Sequence, residues 1–131
     1  MLTKPDTRLE KLQFFHFRFR DTGMIIPTGG ITVCYRPGDS RGYLASAVCS
    51  MKDTYCKKLG RIRAEGRTHS GHYVVVIDKP VNYEELVVIV KKYAFEVLDK
   101  MSDSTGIADV YSCMMATNTT VDFVLHTRHK E

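Results

Sequence analysis

Six basic side chains fall between Lys52 and Arg67: Lys52, Lys57, Lys58, Arg61, Arg63 and Arg67, against two acidic ones, Asp53 and Glu65. That segment carries the whole formal excess of +4, because the remainder holds 13 basic and 13 acidic residues. Clustered ammonium and guanidinium groups bind anions, and arginine offers paired donors that match a phosphate or a carboxylate. A concentrated patch points to a defined anionic partner rather than to a diffuse polycation. Lysines and arginines on a helix face are also often simply solvated, and the sequence leaves both readings open.

Catalytic and metal chemistry find less support. His69 and His72 are three apart, as are His126 and His129. Zinc needs further ligands, and Cys49 and Cys56 lack a close C-x-x-C spacing. Gly29-Gly30 is too short for a phosphate-binding glycine-rich loop with its lysine. No G-x-S-x-G or H-E-x-x-H signature occurs. The expectation is a non-enzymatic protein with no metal and no cofactor. Tyr35, Tyr43, Tyr73, Tyr83 and Tyr93 read as core or interface residues before they read as base-stacking platforms. Cys34, Cys49 and Cys113 lie in β-like apolar runs and Cys56 lies in the basic segment, all expected to be buried free thiols.

The element expected to present the cations is a helix over Asp53–Arg67, capped by Ser50 or Asp53 and ending near Gly66. At about 100° per residue, Tyr55, Leu59 and Ile62 share an apolar stripe that should face the rest of the fold. Lys52, Cys56, Arg63 and Arg67 flank the exposed side on one edge, and Lys57, Lys58 and Arg61 on the other. Between them Gly60 and Ala64 stack four residues apart. A glycine inside a helix costs about 1 kcal/mol against alanine, so Gly60 answers a steric need. That need is close approach, either by a phosphate-bearing partner or by another helix or strand.

The other elements follow from periodicity. Phe15, Phe17 and Phe19 alternate with His16, Arg18 and Arg20, which predicts a strand with one buried face and one wet basic face. Met24–Ile26 and Ile31–Tyr35 read as a short hairpin, Tyr43–Cys49 as a further strand, and His72–Ile77 as a central strand buried on both faces. Asn82 should cap a second helix with Glu84 and Glu85 in its first turn. Its core stripe runs through Tyr83, Leu86, Val87, Val90, Ala94, Val97, Leu98 and Met101, while Val88 and Phe95 form a second apolar strip. Ala108–Met115 and Val121–His126 read as closing strands. Together these predict an α+β fold, a mainly antiparallel sheet of five to six strands with two helices packed on it. Residues 1–131 read as a single domain, with 1–10 as a flexible arm. The apolar runs are too short to cross a bilayer, and the first residues have no signal-peptide pattern, so a cytoplasmic protein is expected.

The run Cys49-Ser50-Met51-Lys52-Asp53, with Tyr55, Lys57-Lys58, Gly60-Arg61, Ala64 and Gly66-Arg67, resembles small accessory proteins encoded by bacteriophages, over about 19 of 131 residues. Among such proteins, the Thoeris anti-defence proteins are oligomeric sponges that sequester cyclic ADP-ribose-type signals. Resemblance to them implies arginines on phosphate, an aromatic ring on the base, no turnover and a place in the cytoplasm of an infected cell.

The resulting expectation is a phage accessory protein that binds a phosphate-bearing nucleotide signal of host defence. Lys57, Lys58, Arg61, Arg63 and Arg67 would hold the phosphates, with Arg18 and Arg20 behind them and Gly60 and Ala64 allowing close approach. The Val88/Phe95 strip motivates a homo-oligomer. Two alternatives use the same helix: a nucleic-acid-binding module on backbone phosphates, and a protein–protein inhibitor of a host enzyme.

Overall fold

The computed structural model describes residues 7–21, 24–71, 74–99 and 121–126. After a 3-10 turn at Thr7–Glu10 come β1 (Gln13–Asp21), β2 (Met24–Ile25), β3 (Thr28–Pro37), β4 (Arg41–Thr54), α1 (Lys57–Arg67), β5 (Val75–Asp78), α2 (Tyr83–Asp99) and β6 (Val121–His126). All strand pairings are antiparallel, and the fold is α+β, as expected. β1 pairs with β6 on one edge and with β3 on the other; β4 and then β5 extend the sheet beyond β3. The strand predicted over Ala108–Met115, and Met101 of the predicted stripe, lie outside the described residues. No helix among the described residues is long and apolar enough to cross a membrane.

The sheet is covered on both faces. On one, Phe15, Phe17, Phe19, Ile31, Val33, Tyr35 and Leu44 form the main core with Leu86, Val90 and Ala94 of α2. This helix begins where the sequence says it should: Asn82 Oδ1 accepts the Glu85 N–H at 2.8 Å, and Glu85 Oε1 accepts the Val81 N–H at 2.8 Å. The first bond satisfies a donor that a helix start otherwise leaves open, and the second ties the entering chain to the same glutamate. On the opposite face α1 packs on Cys34 and Ala47 through Ala64, with Phe14 alongside.

That second layer corrects the reading of β1. Its basic face is not wet: His16 is 2% exposed and Arg18 is half-buried. It also corrects the reading of α1. Leu59 and Ile62 are 48% and 58% exposed, whereas Ala64 is fully buried and Gly60 lies against Thr32. The strip of small residues meets the sheet, and the large apolar residues point outward. The sheet surface below is built from Thr32, Cys34, Ala45 and Ala47, which leaves the backbone of a helix room to come close.

Three further expectations change for hydrogen-bonding reasons. The helix starts at Lys57 rather than Asp53, because Thr54 still pairs with Thr28 and the Tyr55 N–H donates to Pro27 O at 2.9 Å. Those bonds hold the chain extended, so Cys56 takes the cap position and Lys52 and Asp53 stay on β4. β2 pairs with the end of β1, not with β3, and the Ile26 N–H donates to Phe19 O. β5 is a four-residue strand along Arg41–Leu44, with Val75 and Val76 43% and 47% exposed, not a strand buried on both faces. Beyond Leu44 the β4 edge meets α1 instead: Arg67 Nη1 donates to Ser46 O at 2.9 Å.

Candidate functional site

β4 is not a regular strand. Cys49 pairs with Gly30 and Thr54 with Thr28, so Ser50, Met51, Lys52 and Asp53 stand opposite Gly29 alone. A bulge of this kind bends a strand and redirects its side chains. Its partner residues must adopt backbone angles that L side chains avoid: φ is 76° at Gly29 and 136° at Gly30. A Cβ on Gly30 would stand 2.7 Å from Phe17 O and 2.8 Å from the Tyr55 ring. The two glycines, too few for a phosphate-binding loop, thus serve the bulge and seat Tyr55.

Between this bulge and the first half of α1 lies a cavity of about 360 Å³. Thr32, Ala47 and Tyr55 contribute to its lining from the sheet side, Cys49, Ser50, Asp53 and Thr54 from the bulge, and Cys56, Leu59, Gly60 and Arg63 from the helix. Its size falls at the lower end for small-molecule sites.

A buried polar cluster supports one wall. His16 Nδ1 lies 3.0 Å from Thr32 Oγ1 and 2.8 Å from the Tyr55 hydroxyl, and the two hydroxyls are 2.5 Å apart. Arg18 lies over the Tyr55 ring, 4.4 Å from its centroid, and donates from Nη2 to Ile26 O at 3.2 Å. Its Nε is buried with no acceptor among the described residues. Burial pushes the Tyr55 hydroxyl up to about 12, against the opposing pull of the Thr32 bond and of the Arg18 and Arg61 charges.

The predicted site residues divide into four groups. Arg61 and Arg18 act together on Tyr55, and Arg63 lines the cavity beside Cys49, whose thiol burial raises against a small opposing pull from the Arg63 charge. Lys57 and Lys58 form the first turn of α1. Arg67 is at the far end of the helix, where it donates to the β4 carbonyl, and Ala64 is buried against the sheet, so neither offers a surface to a partner, whereas Gly60 lies against Thr32 and reaches the cavity lining. Arg20 sits at a β1 position paired with both Asp122 and Ile25. The sequence reading missed the bulge residues Ser50, Asp53 and Thr54; the signal for them was Gly29-Gly30 opposite a polar stretch.

The described tyrosines are not waiting for a base. Tyr55, Tyr43 and Tyr83 each carry a guanidinium within 4.0–4.4 Å of the ring centroid, from Arg18, Arg36 and Arg8. Tyr35 is fully buried, and the Tyr93 hydroxyl bonds to Ser46 Oγ at 3.2 Å. Tyr73 lies outside the described residues.

Cys34, Cys49 and Cys56 are free thiols, but only Cys34 is fully buried; Cys49 is half-buried and Cys56 exposed. Burial, with help from the Glu65 charge, raises the Cys34 thiol to about 12. Since the thiolate is the reactive form, native-state alkylation followed by peptide mapping should modify Cys56 well before Cys34. Cys34 should lag by at least about 100-fold. Equal rates would contradict this packing. No group of three or more metal-ligating side chains converges among the described residues. No family model, no curated protein and no solved structure matches this chain.

Proposed function

We infer that this chain is a non-enzymatic binding protein that holds a phosphate-bearing small molecule where α1 opens onto the β4 bulge. The observation that carries this reading is the cavity lined by Arg63 next to a helix start that lacks its usual anion. Cys56 makes no side-chain cap, the first turn holds no acidic residue, and Lys57 and Lys58 stand there instead. Cations at a helix N-terminus oppose the macrodipole, so an anion bound beside them relieves both charges. Arg61 and Arg18 deepen the positive field from the Tyr55 side.

Nucleotides are the ligand class to test first, in keeping with the role of a nucleotide sponge that the phage resemblance implies. The occupied tyrosine rings argue that recognition rests on phosphate more than on base stacking. A nucleic-acid-binding role is less well supported, because Leu59 and Ile62 occupy the middle of the outward face where backbone phosphates would lie.

Calorimetry and thermal shift against phosphate, pyrophosphate and a panel of linear and cyclic nucleotides test the proposal. At least one should raise the melting temperature saturably. Arg63→Ala should weaken that binding about 10- to 100-fold, the range expected for losing a charge-assisted hydrogen bond. Arg67→Ala should lower stability by about 1–3 kcal/mol through the orphaned Ser46 carbonyl while leaving affinity within about twofold. Silence across the panel, or binding only to DNA or RNA with a steep salt dependence, overturns the reading.

A further inference from the structure

The cavity beside the β4 bulge carries both signs of charge. Among the described residues that line it, Arg63 on α1 is the one cation and Asp53 on the bulge the one carboxylate. Both residues are exposed, so each is open to a ligand. They flank a common neighbour, since the Asp53 charge raises the Cys49 thiol and the Arg63 charge lowers it. A bare phosphate gains from Arg63 but is repelled by Asp53. A ligand that suits both carries hydrogen-bond donors some distance from its phosphate.

The bulge holds the Asp53 backbone in place. The Lys52 N–H donates to the Ser50 hydroxyl at 3.2 Å, and the Cys49 thiol donates to the Asp53 carbonyl at 3.4 Å. Thr54, the next lining residue, adds a hydroxyl that can donate or accept. Charge decides which donors Asp53 would take from a ligand. Lys57, Lys58 and Arg61 make the helix start positive, which disfavours a second cation there. Neutral hydroxyls meet no such repulsion, and an ionised carboxylate accepts from two of them at once, one on each oxygen.

The lining also includes the apolar Ala47, Val48 and Leu59. Leu59 is 48% exposed although α1 is seated through Gly60 and Ala64, so it is available to the C–H face of a ring. A volume of about 360 Å³ suits one small ring with its phosphate.

We propose that the ligand is a phosphorylated sugar, with Arg63 on its phosphate and Asp53 accepting hydrogen bonds from two adjacent ring hydroxyls. The inference rests on the anion site proposed above and adds to it a residue that determines specificity. It makes the sugar, not a base, the part recognised beside the phosphate. Tyr55 also lines the cavity, and its ring already carries Arg18.

Calorimetry of the full chain with inorganic phosphate, ribose 5-phosphate, 2-deoxyribose 5-phosphate and phosphoethanolamine tests it. Ribose 5-phosphate should bind about 10- to 100-fold more tightly than its 2-deoxy form or inorganic phosphate, the effect of hydrogen bonding to a charged acceptor. Asp53→Asn should bring ribose 5-phosphate down toward the 2-deoxy form. The same variant should bind inorganic phosphate as well as the parent or better, because the repelling charge is gone. Asp53 is exposed, so the variant should melt within a few degrees of the parent. Arg63→Ala should weaken all the phosphates alike, which separates the two readings. Equal, Arg63-dependent affinities for phosphate and both sugar phosphates overturn the sugar assignment and leave the anion site standing. So does ribose 5-phosphate binding that Asp53→Asn leaves unchanged. Tightest binding of phosphoethanolamine, lost in Asp53→Asn, overturns it by assigning an ammonium group to the carboxylate. Silence from every probe overturns the sugar assignment and the anion site together.

Discussion

Gly60→Ala is expected to destabilise the protein by about 2 kcal/mol, although alanine is the better helix former by about 1 kcal/mol. The added methyl would run into Thr32, clashing with its Oγ1 and standing 2.9 Å from its Cβ. The hydroxyl could rotate, but only by breaking its bonds to His16 and Tyr55, and Cβ cannot move without β3. Overpacking costs about 1–3 kcal/mol, and disturbing a buried hydrogen-bonded group adds to that. At about 3–5 °C per kcal/mol for a chain of this size, the melting temperature should fall by about 6–10 °C. Gly66→Ala is the matched control in the same helix. A Cβ there meets nothing within 4 Å, so it should be neutral or stabilising by up to about 1 kcal/mol. Opposite signs from one substitution would establish which side of α1 faces the sheet. If both variants gain stability, the close approach of Gly60 to Thr32 is wrong.

The same contact explains what the sequence could and could not convey. α2 was legible because its signals agree: the Asn82 cap, the acidic first turn and the stripe through Leu86, Val90 and Ala94 all favour one placement. β1 was half legible. The alternation located Phe15, Phe17 and Phe19 in the core, but no local pattern announces that Tyr55, from much later in the chain, will stand against His16. α1 was read inside out. Periodicity assigns Leu59 and Ile62 to the core because they are the largest apolar residues, and that rule assumes a surface able to receive them. The surface actually present is Thr32, Cys34 and Ala47, which favours glycine and alanine, and this complementarity exists only between segments distant in sequence. The charge cluster was visible as composition but not as geometry. The bulge puts Lys52 on β4, the open strand edge takes Arg67, and Arg63 lines the cavity.

Tyr55→Ala should cost about 3 kcal/mol, the largest loss expected from a single side chain around the site. An aromatic removed from a packed position forfeits about 3–5 kcal/mol, and Tyr55, being half-buried, belongs at the lower end. The loss would also strip Arg18 of the ring beneath its guanidinium and leave His16 with Thr32 alone among the hydroxyls now bonded to its Nδ1. Tyr55→Phe separates these effects, since it keeps the ring and should cost about 1 kcal/mol for the hydroxyl. Alkali gives the second readout. The folded-state value near 12 lies above the ordinary 10, so the neutral phenol is favoured by folding. Its contribution is complete below pH 10 and is lost as pH rises through about 12, because the unfolded chain releases the proton first. Cys34 acts in the same direction, from 9 to about 12. Denaturant titrations at pH 8 and pH 11 should therefore show the parent losing stability, and Tyr55→Phe losing measurably less of it. Equal alkaline losses in parent and variant would mean that the Tyr55 hydroxyl is solvated, and the polar cluster beneath α1 would then be open to water.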